Sequence, residues 1–402
     1  MSTPFDRNRP GALFPNADPE LSRGLAKIPD LLKGILPMKE KHRKLLATGV
    51  RRLSGFLTTE RENLPPDYMT RPEYLAAYLH YFMPWNIYRQ ARLLQGLDFS
   101  LKPGSTILDF GCGPLTFLQS MWLTRPHMRD NEYNYVGFDR AESALKAGQK
   151  LFEGLAGDQG KGWKIQTERQ LGAARKSAPA DFIVAGNFIN ELNPPRSAHG
   201  EEISTEDALL QRWGDLLKPD AAILVIEPGT RASSKQLVRM RESALAMGWR
   251  VVAPCAHSAE CAMPGNRGGA WCHFNFTPVD IPEWLFKFSR KVKLPKERAS
   301  LSFLLLVRGD TPPIKTPTPP RPAKDEGLVR VISESFDLPD DRMGRYGCSD
   351  RGLVMLENRK THQLGPQPGD LLVIKWPERP RRDMKSKGLV IPASEGDPGE
   401  NR

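Results

Sequence analysis

Ile107-Leu-Asp-Phe-Gly-Cys-Gly-Pro-Leu-Thr-Phe117 is an apolar run that closes on an acid and two glycines. A buried strand that turns sharply into a helix needs this pattern: Gly111 and Gly113 free the backbone to bend and let it approach a ligand closely. The helix start behind the loop favours negative charge, while Asp109 can accept hydrogen bonds from a cationic amine. That combination suits the methionine end of S-adenosylmethionine. A dinucleotide loop would carry a third glycine where Thr116 stands.

Asn134-Tyr-Val-Gly-Phe-Asp139 reads as the next strand, again ending in an acid. A carboxylate at the end of the second strand is the expected partner of the ribose hydroxyls in doubly wound nucleotide folds, so Asp139 takes that role. The competing reading is that Gly111, Gly113 and Asp139 only turn and cap an ordinary α/β unit.

Working outward, strands are expected at 106–110, 134–138, 163–166, 181–186, 221–227, 249–253 and 301–307, with helices between them. Strand–helix alternation predicts a mostly parallel sheet covered on both faces. Seven strands is the count of the class I, Rossmann-like methyltransferase fold, whose last strand runs antiparallel between the fifth and sixth. This domain is placed at 101–308, with a cysteine-bearing insert at 254–273. Residues 1–100 carry helical patterning, with Pro72 at a first-turn position and Tyr74, Leu75, Tyr78, Leu79 and Phe82 at helical spacing; these side chains are read as packing against the nucleotide domain. The prolines of Thr311–Pro322 predict an extended linker over 309–327. Short alternating segments predict a small β module over 328–378, and 379–402 reads as a flexible basic tail.

The chain has 402 residues and a formal net charge of +11, concentrated at Lys39–Arg52, Lys287–Arg298 and Glu378–Lys387. Basic faces beside a methyl donor point to RNA, because phosphate contacts gain affinity from released counterions; a solvated basic surface is the alternative. No run of about 18 apolar residues predicts a membrane span, and Met1–Asn16 lacks the apolar segment of a secretory signal. A cytoplasmic location is expected, or a mitochondrial one in a eukaryote. No oligomeric state is assigned.

Of five cysteines, Cys112 lies in the glycine loop. Cys255-x5-Cys261-x10-Cys272 falls in a Pro/Gly-rich insert with little apolar content, and Cys348 lies in the β module. A shared metal would order the insert and clip the module to the domain. Structural zinc sites favour paired Cys-x2–4-Cys knuckles, whereas a [4Fe–4S] cube takes four cysteines at irregular spacing. An iron–sulfur cluster is therefore expected, with zinc as the alternative, and four unrelated thiols as the reading without metal. His257 and His273 flank the insert.

At these residues the chain resembles the methyltransferase-like assembly factors of the mitochondrial ribosomal small subunit and their bacterial relatives. The shared features are Asp109-x-Gly-x-Gly, Pro254-Cys255-x-His257, Trp271-Cys272-His273-Phe274, the Leu294-Pro-Lys-Glu-Arg-Ala-Ser-Leu run before the last strand, and the late Cys348 segment. Ala262 follows the second cysteine where the family pattern has proline. The resemblance implies S-adenosylmethionine binding, a cluster on Cys255, Cys261, Cys272 and Cys348, and association with small-subunit ribosomal RNA during ribosome assembly and translation.

Catalysis is left open. After the fourth strand the polar candidates are Asn187, Asn190 and Glu191, with Asn187 also assigned to the cofactor. Asn193-Pro-Pro-Arg196 reads as a turn, displaced from the strand end and lacking an aromatic clamp. Pro254-Cys255 follows the sixth strand, too late for a cytosine-methylating nucleophile. Three functions remain: an RNA methyltransferase, a non-catalytic RNA-binding assembly scaffold, and a zinc-bound small-molecule methyltransferase.

Overall fold

Runs buried on both faces, such as Ala221–Glu227, can be satisfied only inside a sheet with helices above and below. The computed structural model describes residues 12–65, 67–192, 205–266, 269–310, 312–315, 320–360 and 365–392. The central strands are β1 (Thr106–Phe110), β2 (Tyr133–Phe138), β3 (Trp163–Glu168), β4 (Ala180–Gly186), β5 (Leu217–Glu227), β6 (Arg250–Ala253) and β7 (Ala299–Arg308). Their order is β3-β2-β1-β4-β5-β7-β6. The first five run parallel, and β7 lies antiparallel between β5 and β6, as expected. A short strand, Phe274–Phe276, extends the pairing along the start of β7.

The strand order reverses direction between β1 and β4. There the chain leaves β1 on one side and β4 on the other, opening the crevice in which doubly wound sheets bind ligands.

The N-terminal helices are α1 (Pro19–Ile35), α2 (Glu40–Leu57), α3 (Pro72–Ala77) and α4 (Met83–Gly96). Pro72 occupies the first turn of α3, where its missing N–H costs nothing. Between α3 and α4, Tyr78–Phe82 winds as a π-helix. Their apolar faces join one core with the sheet helices α5 (Thr116–Thr124) and α6 (Glu142–Ala156), including Leu25, Ile28, Leu93, Trp122 and Leu151. The remaining helices are α7 (Thr205–Gly214), α8 (Arg231–Ala246) and α9 (Glu283–Lys291).

The C-terminal sheet comprises β8 (Glu326–Val331), β9 (Phe336–Leu338), β10 (Arg342–Ser349), β11 (Gly352–Arg359), β12 (Leu371–Lys375) and β13 (Leu389–Ile391). Two stretches behave differently from their compositional reading. Ile314–Lys315, within the proline-rich linker, pairs antiparallel with Ser100–Leu101, because Ile314 and Leu101 are apolar side chains that the ladder buries. Leu389–Ile391, within the expected tail, pairs parallel with β11 and buries Leu389 and Val390. The linker residues 311 and 316–319, the tail residues 393–402 and the Asn-Pro-Pro turn lie outside the described residues.

α6 presses directly on the glycine loop at Gly148. A Cβ there would sit 2.4 Å from the carbonyl carbon and 2.5 Å from the carbonyl oxygen of Pro114, both backbone atoms that cannot step aside. Gly148→Ala is expected to destabilise the fold by about 1–3 kcal/mol, the usual cost of overpacking. Urea unfolding measures that loss, and calorimetric titration with S-adenosylmethionine should find weaker binding in the same variant.

Candidate functional site

The turn out of β1 is built from three left-handed residues, Gly111 (φ 69°), Gly113 (φ 53°) and Leu115 (φ 55°). Leucine pays a steric penalty of roughly 1–2 kcal/mol in that region, strain of the kind that gathers at ligand loops. A side chain at Gly111 would run into Phe188 and one at Gly113 would press on Met69. The glycines therefore hold the backbone where a ligand can meet it.

Asp109 lies beneath this turn at 1% exposure and accepts a short hydrogen bond from the Tyr135 hydroxyl. Burial, together with the charge of nearby Asp139, pushes its carboxyl up to about 8 although Tyr135 acts in the opposite direction. Asp109 thus acts from below the loop rather than standing open in the crevice. Asp139 sits at the mouth, half-buried. Its Oδ2 accepts from the Gly113 amide at 3.0 Å and its Oδ1 from the Ala141 amide at 2.8 Å, so it splices the loop to the start of α6. Burial raises its carboxyl too. Two carboxylates disfavoured in their charged form beside a turn of backbone amides make a site that gains from a cationic ligand.

On the other side of the crevice, Asn187 adopts φ 56° directly after β4 and its amide donates to Ile226 at 2.7 Å. The loop that follows is gripped by Glu227, fully buried at the end of β5, which accepts from the amides of Phe188 (3.0 Å) and Ile189 (2.8 Å) and from the Asn190 side chain. Phe188, Glu227 and Tyr135 were not singled out from sequence. Glu227 had a usable signal, a third strand ending in an acid before Pro228-Gly229, like Asp109 and Asp139. Phe188, next to Asn187, brings its ring against Gly111 and 6.3 Å from the Phe110 ring centre.

The four cysteines outside the loop are supplied by three elements: the insert after β6, the approach to Phe274 and the β10 strand. Burial raises all four thiols; Cys261 is raised further by Cys255, and Cys272 and Cys348 by their cysteine neighbours. Cys272 is pushed well above its ordinary value by burial, then by Cys255, Cys348 and Cys261. Cys348 is pushed up to about 12 by burial, then by Cys255 and Cys261. His257 Nε2 lies 3.3 Å from the Cys348 sulfur. Among the described residues no group of three or more histidine, cysteine or acidic side chains is gathered as the ligands of one metal ion would be.

Two arginines flank the thiols, Arg241 at 3% and Arg330 at 6% exposure. Arg241 Nη2 donates to the carbonyls of His257 (3.0 Å) and Ala259 (2.7 Å), fixing the insert. Arg330, from β8, donates through Nε to Pro254 (3.0 Å) and through Nη1 to Gly369 (2.7 Å), fastening the C-terminal sheet to the insert. Arg241 draws the Cys255 thiol down against burial, and Arg330 adds to this. Buried cations set around four thiols match a centre of net negative charge, as an iron–sulfur cube bound by four thiolates is. The rest of the insert is anchored by Trp271, whose Nε1 donates to Gly229 at 3.2 Å beneath the Arg231 guanidinium, 4.3 Å from the ring centre.

Sheet order, the inserted antiparallel strand and the glycine turn at the β1–β4 switch define a class I methyltransferase fold. The family described as mitochondrial small ribosomal subunit Rsm22 matches residues 77–311, and the chain belongs to that family. No curated protein matches it. Among solved structures, a Listeria monocytogenes protein described as a class I S-adenosylmethionine-dependent methyltransferase aligns at 13% identity over 73% of this chain and 88% of that one, with TM-score 0.35. An S-adenosylmethionine-dependent methyltransferase from Thiobacillus denitrificans, solved with S-adenosylhomocysteine, aligns at 13% identity over 55% and 91%, with TM-score 0.33. No helix among the described residues is long and apolar enough to cross a membrane.

Proposed function

We propose that the chain binds S-adenosylmethionine in the β1–β4 crevice, holds a [4Fe–4S] cluster on Cys255, Cys261, Cys272 and Cys348, and acts on or binds small-subunit ribosomal RNA during ribosome assembly. The observation that carries the reading is that a member of a small-ribosomal-subunit family retains a complete crevice: glycine turn, two carboxylates and an aromatic side chain at Phe188. Gly111 and Gly113 would admit the methionine portion, Asp109 would favour its positive charge from below, Asp139 would take the ribose hydroxyls, and Asn187 would line the methyl side. The sulfonium supplies an activated methyl group; the protein's part is to position and desolvate the acceptor. The cluster serves as a staple between the insert and the C-terminal sheet.

A scaffold without catalysis is the second reading. It is favoured by the commitment of the Asn190 amide to Glu227, which leaves the loop after β4 fixed by structural bonds. A methyl-incorporation assay on purified small-subunit RNA, with Asp139→Ala as control, separates the two. Transfer lost in the control supports the enzyme, whereas cofactor binding without transfer supports the scaffold. Anaerobic purification is expected to give a brown protein that bleaches in air; a colourless protein containing zinc would remove the cluster from the proposal.

A further inference from the structure

We propose that Arg89 and Lys296 form the phosphate-binding end of an acceptor pocket that opens beside the cofactor crevice and takes a phosphodiester of single-stranded RNA. This rests on the reading of the chain as an RNA-directed protein and names how RNA would enter that site.

The pocket is built around the π-helical turn Tyr78–Phe82. Such turns are rare, occur mostly as single-turn bulges inside α-helices, and are frequent at functional sites. Here the turn brings Tyr78, half-buried, between the crevice and α4. The Asn86 side chain donates to the Tyr78 hydroxyl at 3.2 Å, and Arg89 donates to the Asn86 carbonyl, so one buried amide fixes the phenol and the guanidinium together. Burial raises the Tyr78 hydroxyl against the Asn86 hydrogen bond, and the carboxylates of Glu191 and Asp139 on the crevice side add to the rise. One turn further along α4, Gln90 faces Gly186 at the end of β4, where a Cβ would come within 2.9 Å of its Nε2. Tyr78, Asn86 and Gln90 therefore border the same crevice as Asn187.

Opposite Tyr78, Tyr81 donates to the Leu294 carbonyl at 2.6 Å and carries the Lys296 ammonium over its ring, 6.0 Å from the centre. Lys296 also lies near enough to Arg89 for the guanidinium to disfavour the ammonium's charge. Burial pushes the ammonium down to about 8, and Arg89 adds to this. The residue as a whole is exposed, and water screens that effect. Among the described residues neither Arg89 nor Lys296 forms an ion pair with a carboxylate. Two neighbouring cations without a carboxylate partner disfavour one another's charge, and an anion bound between them would relieve that cost. The field across the pocket is graded: carboxylates at the crevice suit a cationic cofactor, cations on the far side suit a phosphate, and Tyr78 stands between with a ring on which a base can stack.

The test uses the full-length protein, a short single-stranded RNA and, separately, pyrophosphate, with Lys296→Met, Arg89→Met and the double variant. Lys296 is exposed, so its variant should fold even if Arg89→Met does not; Arg89→Lys provides the conservative replacement. RNA affinity is expected to fall about three- to tenfold for each single change, and the slope of log K against log salt to drop by about 0.7 per cation removed. S-adenosylmethionine affinity should stay within about twofold. Unchanged RNA affinity and salt slope in the double variant overturns the pocket while leaving RNA binding elsewhere intact. Pyrophosphate binding that depends on both cations, with RNA binding that does not, overturns it in favour of a small phosphorylated acceptor. A wild-type protein that binds neither the RNA nor S-adenosylmethionine refutes the underlying functional reading, and the pocket with it.

Discussion

On the proposed four-cysteine cluster, Cys348→Ser is expected to lower the iron content from about four atoms per chain to nearly none and to loosen the C-terminal sheet from the methyltransferase domain. Cys348 is the only proposed ligand contributed by that sheet, from β10, while the other three come from the segment between β6 and β7. Binding energy at a structural centre is folding energy, so its loss should lower the melting temperature and speed trypsin cleavage on either side of the C-terminal sheet. The remaining tether is substantial: Arg330 holds Pro254, and the Leu13 amide donates to Gly369 at 3.1 Å. The module should therefore detach partially rather than unfold outright. Serine is close in size to cysteine, which keeps the packing change small and assigns the effect to the missing thiolate. Iron and sulfide analysis of the anaerobically purified variant decides the matter: full iron content would end the shared-centre model.

The sheet was legible because parallel strands buried on both faces write themselves as apolar runs, and the three acids at strand ends mark where those runs reach the crevice. Asp109 and Asp139 could be placed at the ends of their strands from sequence position alone. What sequence does not carry is which way a side chain faces once the chain is folded. Asp109 was expected to face a ligand, yet the Tyr135 hydroxyl turns it into the protein. The π-helical turn at Tyr78–Phe82 was equally hidden, since its apolar side chains satisfy an ordinary helical period and nothing local records the extra residue in the turn. The cysteines could be grouped from their count, but Arg241 and Arg330, whose charges act on the Cys255 thiol, sit on helix and strand positions that read as ordinary basic residues. Linker and tail depart from what their composition predicts where a few apolar side chains, Ile314, Leu389 and Val390, find strand partners amid prolines and charges.

Asp109→Asn should stabilise the ligand-free protein at pH 8 and weaken S-adenosylmethionine binding, a trade between stability and function at one atom. The carboxyl has an ordinary value of 3.8 and rises to about 8 in the folded chain because it is buried against Tyr135 with Asp139 nearby and no cation to offset it. A folded-state value above the unfolded one means that the folded form holds a proton the unfolded form has released. The stabilisation from that proton is complete below about pH 4 and is lost as pH rises through about 8. Asparagine keeps the shape, can accept the Tyr135 hydrogen bond, and never ionises, so the variant should lack this decline and melt higher than wild type at alkaline pH. Ligand binding has the opposite sign. A sulfonium and an ammonium favour the ionised carboxyl, so binding to the wild type should expel a proton near neutral pH, and affinity should climb between pH 6 and about 9. The variant should bind about tenfold more weakly at pH 8, corresponding to ~1.4 kcal/mol, with a flatter pH profile. Calorimetric titrations in two buffers of different ionisation enthalpy measure the released proton directly; equal proton release by wild type and variant would move the linkage to Asp139 and remove Asp109 from the cofactor site.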